Sequence, residues 1–157
     1  HPAWFRKPET IVAALTLADQ VVWLDTDLEI LGPIDDLFDE IEPGKMCLTV
    51  DDWANDQVSM TVWNSGVVAI MNPAPELMLI WTEACQHPLM RGDQEILAAL
   101  AARRKMESQI KNLDRKWNYQ RLAESMGVPR PDDLRMIHHT GPIGKQLIRA
   151  SKLPACA

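Results

Sequence analysis

The stretch VVWLDTDLEIL, residues 21–31, decides how the rest of the chain is read. Four apolar residues, Val21 to Leu24, run into Asp25, and a second carboxylate follows at Asp27. An apolar run this short, bounded by polar residues, reads as a strand buried on both faces of a sheet. The downstream end of such a strand is where open α/β sheets bind ligands. In an extended chain alternate side chains point the same way, so the two carboxylates are expected to converge. Like charges that close are costly unless a cation lies between them. Oxygen ligands favour Mg²⁺ or Mn²⁺, ions that complete their shells with water and substrate phosphates.

Outward from this strand, helices and strands alternate. Pro8 suits a first helical position and Glu9 the positive end of a helix dipole; Ile11, Leu15 and Ala18 follow at helical spacing, which predicts a helix over residues 8–18. Gly32-Pro33 breaks the chain, and Ile34, Leu37, Phe38 and Ile41 mark a short helix. Strands are expected over 46–50 and 66–71, with the polar segment 53–59 an irregular loop between them. Helices are expected over 75–86 and from Gly92 to about residue 104. An edge strand over 107–113, a short helix over 119–126, a last strand over 134–137 and a terminal helix over 144–150 complete the pattern. This alternation defines an α/β sheet. No repeat, low-complexity tract or linker divides residues 1–157, so they read as one domain or part of one.

A chain of 157 residues with 46% apolar and 24% charged residues is long enough for a real core and ordinary in composition for a soluble globular protein. No apolar stretch is long enough to cross a bilayer, and the N-terminal HPAWFRKPET lacks the apolar region of a secretion signal. The chain opens on His1, which suits a fragment or a processed product. Cys47, Cys85 and Cys156 form no CxxC pair and read as reduced thiols of a cytosolic protein. Charge is uneven: residues 1–100 carry 4 basic and 17 acidic side chains (net −13), residues 101–157 carry 12 basic and 5 acidic (net +7). The basic third is either a solvated face or a partner for an anion such as a diphosphate. It lacks the interleaved aromatics of a single-strand nucleic-acid groove.

Three further places carry candidate chemistry. His138 and His139 close the last strand and are followed by Thr140-Gly141-Pro142-Ile143-Gly144-Lys145; glycines admit a phosphate to the backbone, and Lys145 adds positive charge. A neutral imidazole there could complete a metal shell. Asn64-Ser65-Gly66 is a polar corner entering a buried strand, readable as turn chemistry alone. Asp93, between Gly92 and Gln94, reads in isolation as a helix N-cap. Of six tryptophans most are expected in the core, with Trp117 the candidate for stacking on a sugar.

Taken in order, WFRKPETI, WLDTDLEILGPIDDLFD, WNSGVVAIMNP, GDQEILAAL and IHHTGPIGK resemble the nucleotide-sugar glycosyltransferases of the GT-A fold, closest to the glycogenin-like family 8 and its bacterial relatives. The resemblance covers nearly the whole chain. It implies a GT-A-like, Rossmann-like mixed sheet flanked by helices. It implies that Asp25, Thr26 and Asp27 form the DxD that binds Mn²⁺ (or Mg²⁺) and the sugar nucleotide, with His138 the third metal ligand. Gly141 and Lys145 match residues that hold the diphosphate, Asn64 and Ser65 the donor-sugar and acceptor corner, and Asp93 and Gln94 the pair beneath the donor sugar. Two departures stand out. The spacing from His138 to Lys145 is one residue longer than usual and the tryptophan after that lysine is missing. Nothing corresponds to the βαβ unit with which the family grips uridine, so the chain is expected to be the C-terminal two-thirds of such a domain.

The implied reaction is transfer of a sugar from a UDP-sugar donor, with retention, to a hydroxyl of a saccharide, lipid-linked or protein acceptor. No nucleic-acid partner is expected. The implied setting is the cytoplasm, at a membrane surface if the acceptor is lipid-linked. Two rivals remain: a GT-A-like fragment that only binds or scaffolds, and a haloacid-dehalogenase-type phosphatase with Asp25 as nucleophile. The phosphatase pattern wants Thr or Val four residues after that aspartate, where this chain has Glu29.

Overall fold

The decisive stretch joins two sheets. Its first half is β1 (Gln20–Leu24), its second half is β2 (Leu28–Ile30), and Asp25-Thr26-Asp27 form the turn between them. The computed structural model describes residues 2–141 and 143–146. The remaining strands are β3 (Met46–Val50), β4 (Trp63–Met71), β5 (Ile110–Asn112), β6 (Tyr119–Gln120) and β7 (Met136–His138). The larger sheet has the order β1-β4-β3-β5, with β4 antiparallel to both neighbours and β5 parallel to β3. The smaller has the order β2-β7-β6. The helices are α1 (Lys7–Ala14), α2 (Asp52–Gln57), α3 (Glu76–Gln86), α4 (Asp93–Arg104) and α5 (Arg121–Glu124), with short 3₁₀ turns between some of them. This is the mixed α/β architecture of GT-A folds, sheets of mixed direction flanked by helices.

Strand alternation divides the core in two. On one face of the large sheet Met46, Leu48, Val68 and Ile70 pack against Ile11 of α1, Leu77, Met78 and Trp81 of α3 and Leu97 of α4. On the other face Cys47, Val67 and Ala69 meet Leu37, Leu113, Trp117 and Met136. Each fully buried Val or Ile contributes about 1.5–3 kcal/mol, so β4, buried from Trp63 to Ile70, anchors both halves through Val68 and Ile70 on one face and Val67 on the other. Val21 and Trp23 of β1 join the first cluster, and Val22 and Leu24 the second, so both faces of β1 are covered as expected. The strand is nonetheless half-exposed throughout, because it lies at the edge of its sheet.

Several local expectations are corrected. Segment 53–59 is mostly helical: the Asp51 side chain accepts the Ala54 N–H at 2.8 Å and caps α2. Tyr119 and Gln120 pair with β7 and are not helical, and residues 107–109 form a 3₁₀ turn before the short edge strand β5. Residues 143–146 are helical; the rest of the expected terminal helix, and Cys156, lie outside the described residues. Cys47 and Cys85 are buried free thiols; burial pushes the Cys85 thiol up to about 12. Neither is expected to react with a thiol reagent at neutral pH until the protein is unfolded, which a titration with and without denaturant checks.

Candidate active site

Strand pairing assembles the site at the junction of the two sheets. The Asp25 N–H donates to Gly66 O at 2.8 Å, which ties the turn to β4, and the His139 N–H donates to Asp27 O at 2.9 Å, which ties it to β7. Leu28 and His138 are direct partners across β2 and β7, so the imidazole stands beside Asp27. The two carboxylates therefore converge through a turn, with the Leu28 N–H bonded back to Asp25 O at 3.2 Å, and not through alternation along an extended strand.

His138 Nε2 lies 3.1 Å from Asp27 Oδ1 and 4.0 Å from Asp25 Oδ2. One ligand atom from each of the three residues falls within 4.8 Å of the others. The opposite ring nitrogen, Nδ1, lies 3.1 Å from Asn64 Oδ1. That oxygen also accepts from the Gly66 N–H and from Asn118 Nδ2, both at 2.9 Å, while Asn64 Nδ2 donates to Asp51 Oδ2 at 3.1 Å. The contact with Asn64 orients the ring so that Nε2 faces the acids, where it donates to Asp27 when protonated and is free to ligate a metal when it is not. Two carboxylates and such an imidazole fit Mn²⁺ or Mg²⁺. Burial raises the proton affinity of Asp27, but its hydrogen bond to His138 and the nearby charges of His138 and Lys145 outweigh that and hold the carboxyl below the usual range. His139 turns the other way, to Glu29 at 2.8 Å.

The expected charge partner of the acids is partly the chain's own. Lys7, only 3% exposed, places Nζ 3.1 Å from Asp25, 3.2 Å from Asp93 and 2.9 Å from the Ser65 carbonyl oxygen. Trp23 Nε1 adds a 2.7 Å hydrogen bond to Asp25. Lys7 did not emerge from the sequence reading, although a signal was there: it precedes Ile11 and Leu15 by one and two helical steps of four, on the buried face.

Asp93 is the first residue of α4, and Gly92 occupies the cap position. The Asp93 carboxylate instead accepts from Ser65 Oγ at 3.0 Å, and its main-chain carbonyl accepts from Trp81 Nε1 at 2.8 Å. Gln94 accepts the Ser65 N–H at 3.2 Å and donates to Asp51 at 2.7 Å. Asp25, Thr26, Asp27, Asn64, Ser65, Asp93, Gln94, His138, Gly141 and Lys145 all line one cavity of about 460 Å³, together with Lys7, Trp4 and Trp23. Lys145 Nζ stands at its mouth, 4.0 Å from Asp27 and largely exposed. A Cβ at Gly144 would meet His139 O at 2.2 Å, and Gly141 has φ +80°, a backbone state that favours glycine.

Trp117 is buried in the core and lines no part of this cavity. The tryptophans near the site are Trp4 and Trp23, with Trp53 in an adjoining groove. Within the basic third, Lys111 pairs with Glu40 and Glu42, Arg115 with Asp52 and Arg135 with Asp36, so folding sets part of its charge against the acidic part of the chain.

Comparison with solved structures places this fold among glycosyltransferases. Galactosyltransferase LgtC, solved with donor and acceptor sugar analogues, matches 92% of this chain at TM-score 0.58 and 16% identity, over 68% of its own length. Glycosyltransferase GlyE of Streptococcus pneumoniae matches 98% at TM-score 0.61 and 17% identity, over 43% of its length. Mouse xyloside xylosyltransferase 1 matches 85% at TM-score 0.57 and 16% identity, over 62% of its length. The chain thus spans less than two-thirds of two of these three proteins. No protein-family profile matches the chain, and no curated protein matches its sequence. Among the described residues no helix is long and apolar enough to cross a membrane.

Proposed function

We propose that this chain is the C-terminal part of a metal-dependent GT-A glycosyltransferase that uses a UDP-sugar donor. The observation that carries the reading is the gathering of Asp25, Asp27 and the Nε2 of His138 within 4.8 Å at the end of β1, in this fold. The half-exposed outer edge of β1 is where a further nucleotide-binding strand would pair in this reading.

Asp25, Asp27 and His138 would hold Mn²⁺ or Mg²⁺. Such an ion supplies Lewis-acid neutralisation of the charge that develops on a departing nucleoside diphosphate. The chain's own groups do the rest. Lys145 and the backbone around Gly141 would face the same diphosphate and place positive charge beside it. Lys7 fixes the carboxylates of Asp25 and Asp93 relative to one another and to Ser65. Asn64 holds the His138 ring. Asp93 and Gln94 lie beneath the place for the donor sugar, where a carboxylate stabilises positive charge growing at the anomeric carbon. Retention follows from the family resemblance; no side chain is assigned as a covalent nucleophile.

Thermal shift with UDP, other nucleoside diphosphates and Mn²⁺ tests the reading. Stabilisation by UDP only when Mn²⁺ is present is the expected result. Indifference to every nucleotide with and without metal would replace the enzyme with a non-catalytic scaffold. Asp93→Asn keeps the shape and the Ser65 hydrogen bond but removes the charge. It is expected to lower transfer about 10²–10³-fold while leaving UDP affinity nearly unchanged. Equal losses in both would make Asp93 purely structural.

A further inference from the structure

The donor cavity does not stand alone. A groove of about 710 Å³ adjoins it and shares Asn64, Gln94 and Thr140 with it. Its inner end is polar, with Asp51 and Gln120 beside those shared residues. Beyond them Val58, Met60, Met90 and Leu122 line it, with Gln57, Glu95 and Arg103 the polar side chains among them. The groove then runs into a third cavity of about 230 Å³ through shared Met90, Ala99 and Arg103. There the lining is Ala84, Leu89, Ile96 and Leu100, with His87 and Arg103 the polar side chains. Polarity thus falls stepwise from the candidate metal site outward.

Single exposed apolar residues are ordinary, but here they are contiguous and continue from a polar site. Val58, Met60 and Met90 are exposed, and Leu89 is 99% exposed. Trp53, 48% exposed, lines the same groove and offers an indole to a sugar ring. A peptide in the outer cavity would bring backbone N–H and C=O groups that a mostly aliphatic lining leaves unpaired. An alkyl chain brings none. Building on the glycosyl-transfer reading, we infer that the acceptor is a glycoside with an aliphatic aglycone. Its sugar lies at the Asp51–Gln94–Gln120 end, a hydroxyl toward the donor cavity, and its chain runs past Met60 and Met90.

Calorimetry with paired methyl and n-octyl β-glucosides and β-galactosides, below the micellar concentration, tests this. At least one octyl glycoside is expected to bind at least about tenfold more tightly than its methyl partner. Met90→Asp, a change at an exposed position, is expected to remove most of that difference and leave Mn²⁺-dependent UDP binding unaltered. Equal affinities within each pair, no binding of any glycoside, or an octyl preference untouched by Met90→Asp would each overturn the inference. So would tighter binding of a glycosylated serine peptide than of the octyl glycosides. Octyl binding lost in Met90→Asp, in a protein that ignores UDP and Mn²⁺, would keep the groove assignment and sink the glycosyl-transfer reading. Normal UDP·Mn²⁺ binding with no octyl preference would do the reverse.

Discussion

Lys7→Met is expected to lower the free energy of unfolding by about 3–5 kcal/mol, the cost of removing one partner from a buried ion pair. The reason is local. Lys7 Nζ is the common partner of Asp25, Asp93, the Ser65 carbonyl and the Ser65 hydroxyl, all between 2.9 and 3.2 Å. Methionine fills much of the same space and supplies no donor, so two carboxylates and a carbonyl lose their shared cation while packing of the stem is largely kept. Ser65 and Asp93 are themselves buried, which prevents water from replacing the ammonium cheaply. The positive charge also restrains mutual repulsion of Asp25 and Asp93, so the variant is expected to lose the alignment of β1 and α4 along with stability. Urea unfolding of wild type and variant measures the first effect. Lys7→Arg separates charge from geometry: it retains the cation but not the compact ammonium, and a smaller loss of stability is expected. A midpoint unchanged in Lys7→Met would show that Lys7 does not hold these acids together.

How far the sequence could be read follows from where its information lies. α3 and α4 were legible because their apolar spacing and their Pro75 and Gly92 boundaries are local signals. The Asp25/Asp27 position was legible because an apolar run leads straight into it. β2 was not, since three residues of mixed polarity become a strand only by pairing with β7, more than a hundred residues away. For the same reason the turn between Asp25 and Asp27 was mistaken for extended chain. α2 is hidden in the sequence because residues 53–59 are polar and aperiodic, and what starts the helix is the Asp51 side chain capping it just after β3. The role of Lys7 was hidden by a sound generalisation, that lysines are rarely buried unless paired; its partners come from β4, α4 and the β1–β2 turn. Trp117 was misplaced because aromatic residues carry no sequence mark that tells core from site. Asp25, Asp27 and His138 converge through the pairing of β2 with β7, which no local signal in the sequence encodes.

Two variants test the candidate metal site from opposite directions. Asp27→Asn removes a ligand charge and is expected to weaken Mn²⁺ binding by at least the roughly 10–100-fold that loss of an outer partner of a metal site costs. Gly66→Ala leaves Asp25, Asp27 and His138 all in the sequence. Yet a Cβ at Gly66 would stand 2.1 Å from His138 Cε1, 2.5 Å from Nδ1 and 2.9 Å from Asn64 Oδ1. The ring has little room to give, since Asn64 holds it from one side and β2 flanks it across the sheet. It must therefore leave the acids or break its bond to Asn64, and either outcome removes the oriented Nε2 lone pair. Gly66→Ala is accordingly expected to lose Mn²⁺ affinity by about 10–100-fold, with the Asp25–Lys7 pair and the far-ultraviolet circular dichroism retained. Calorimetric titration of Mn²⁺ and of UDP in its presence reads both. Retained affinity in a folded Gly66→Ala protein would exclude His138 from the metal shell, and retained affinity in Asp27→Asn would remove the acid couple; the two together would leave the glycosyl-transfer reading without its cation.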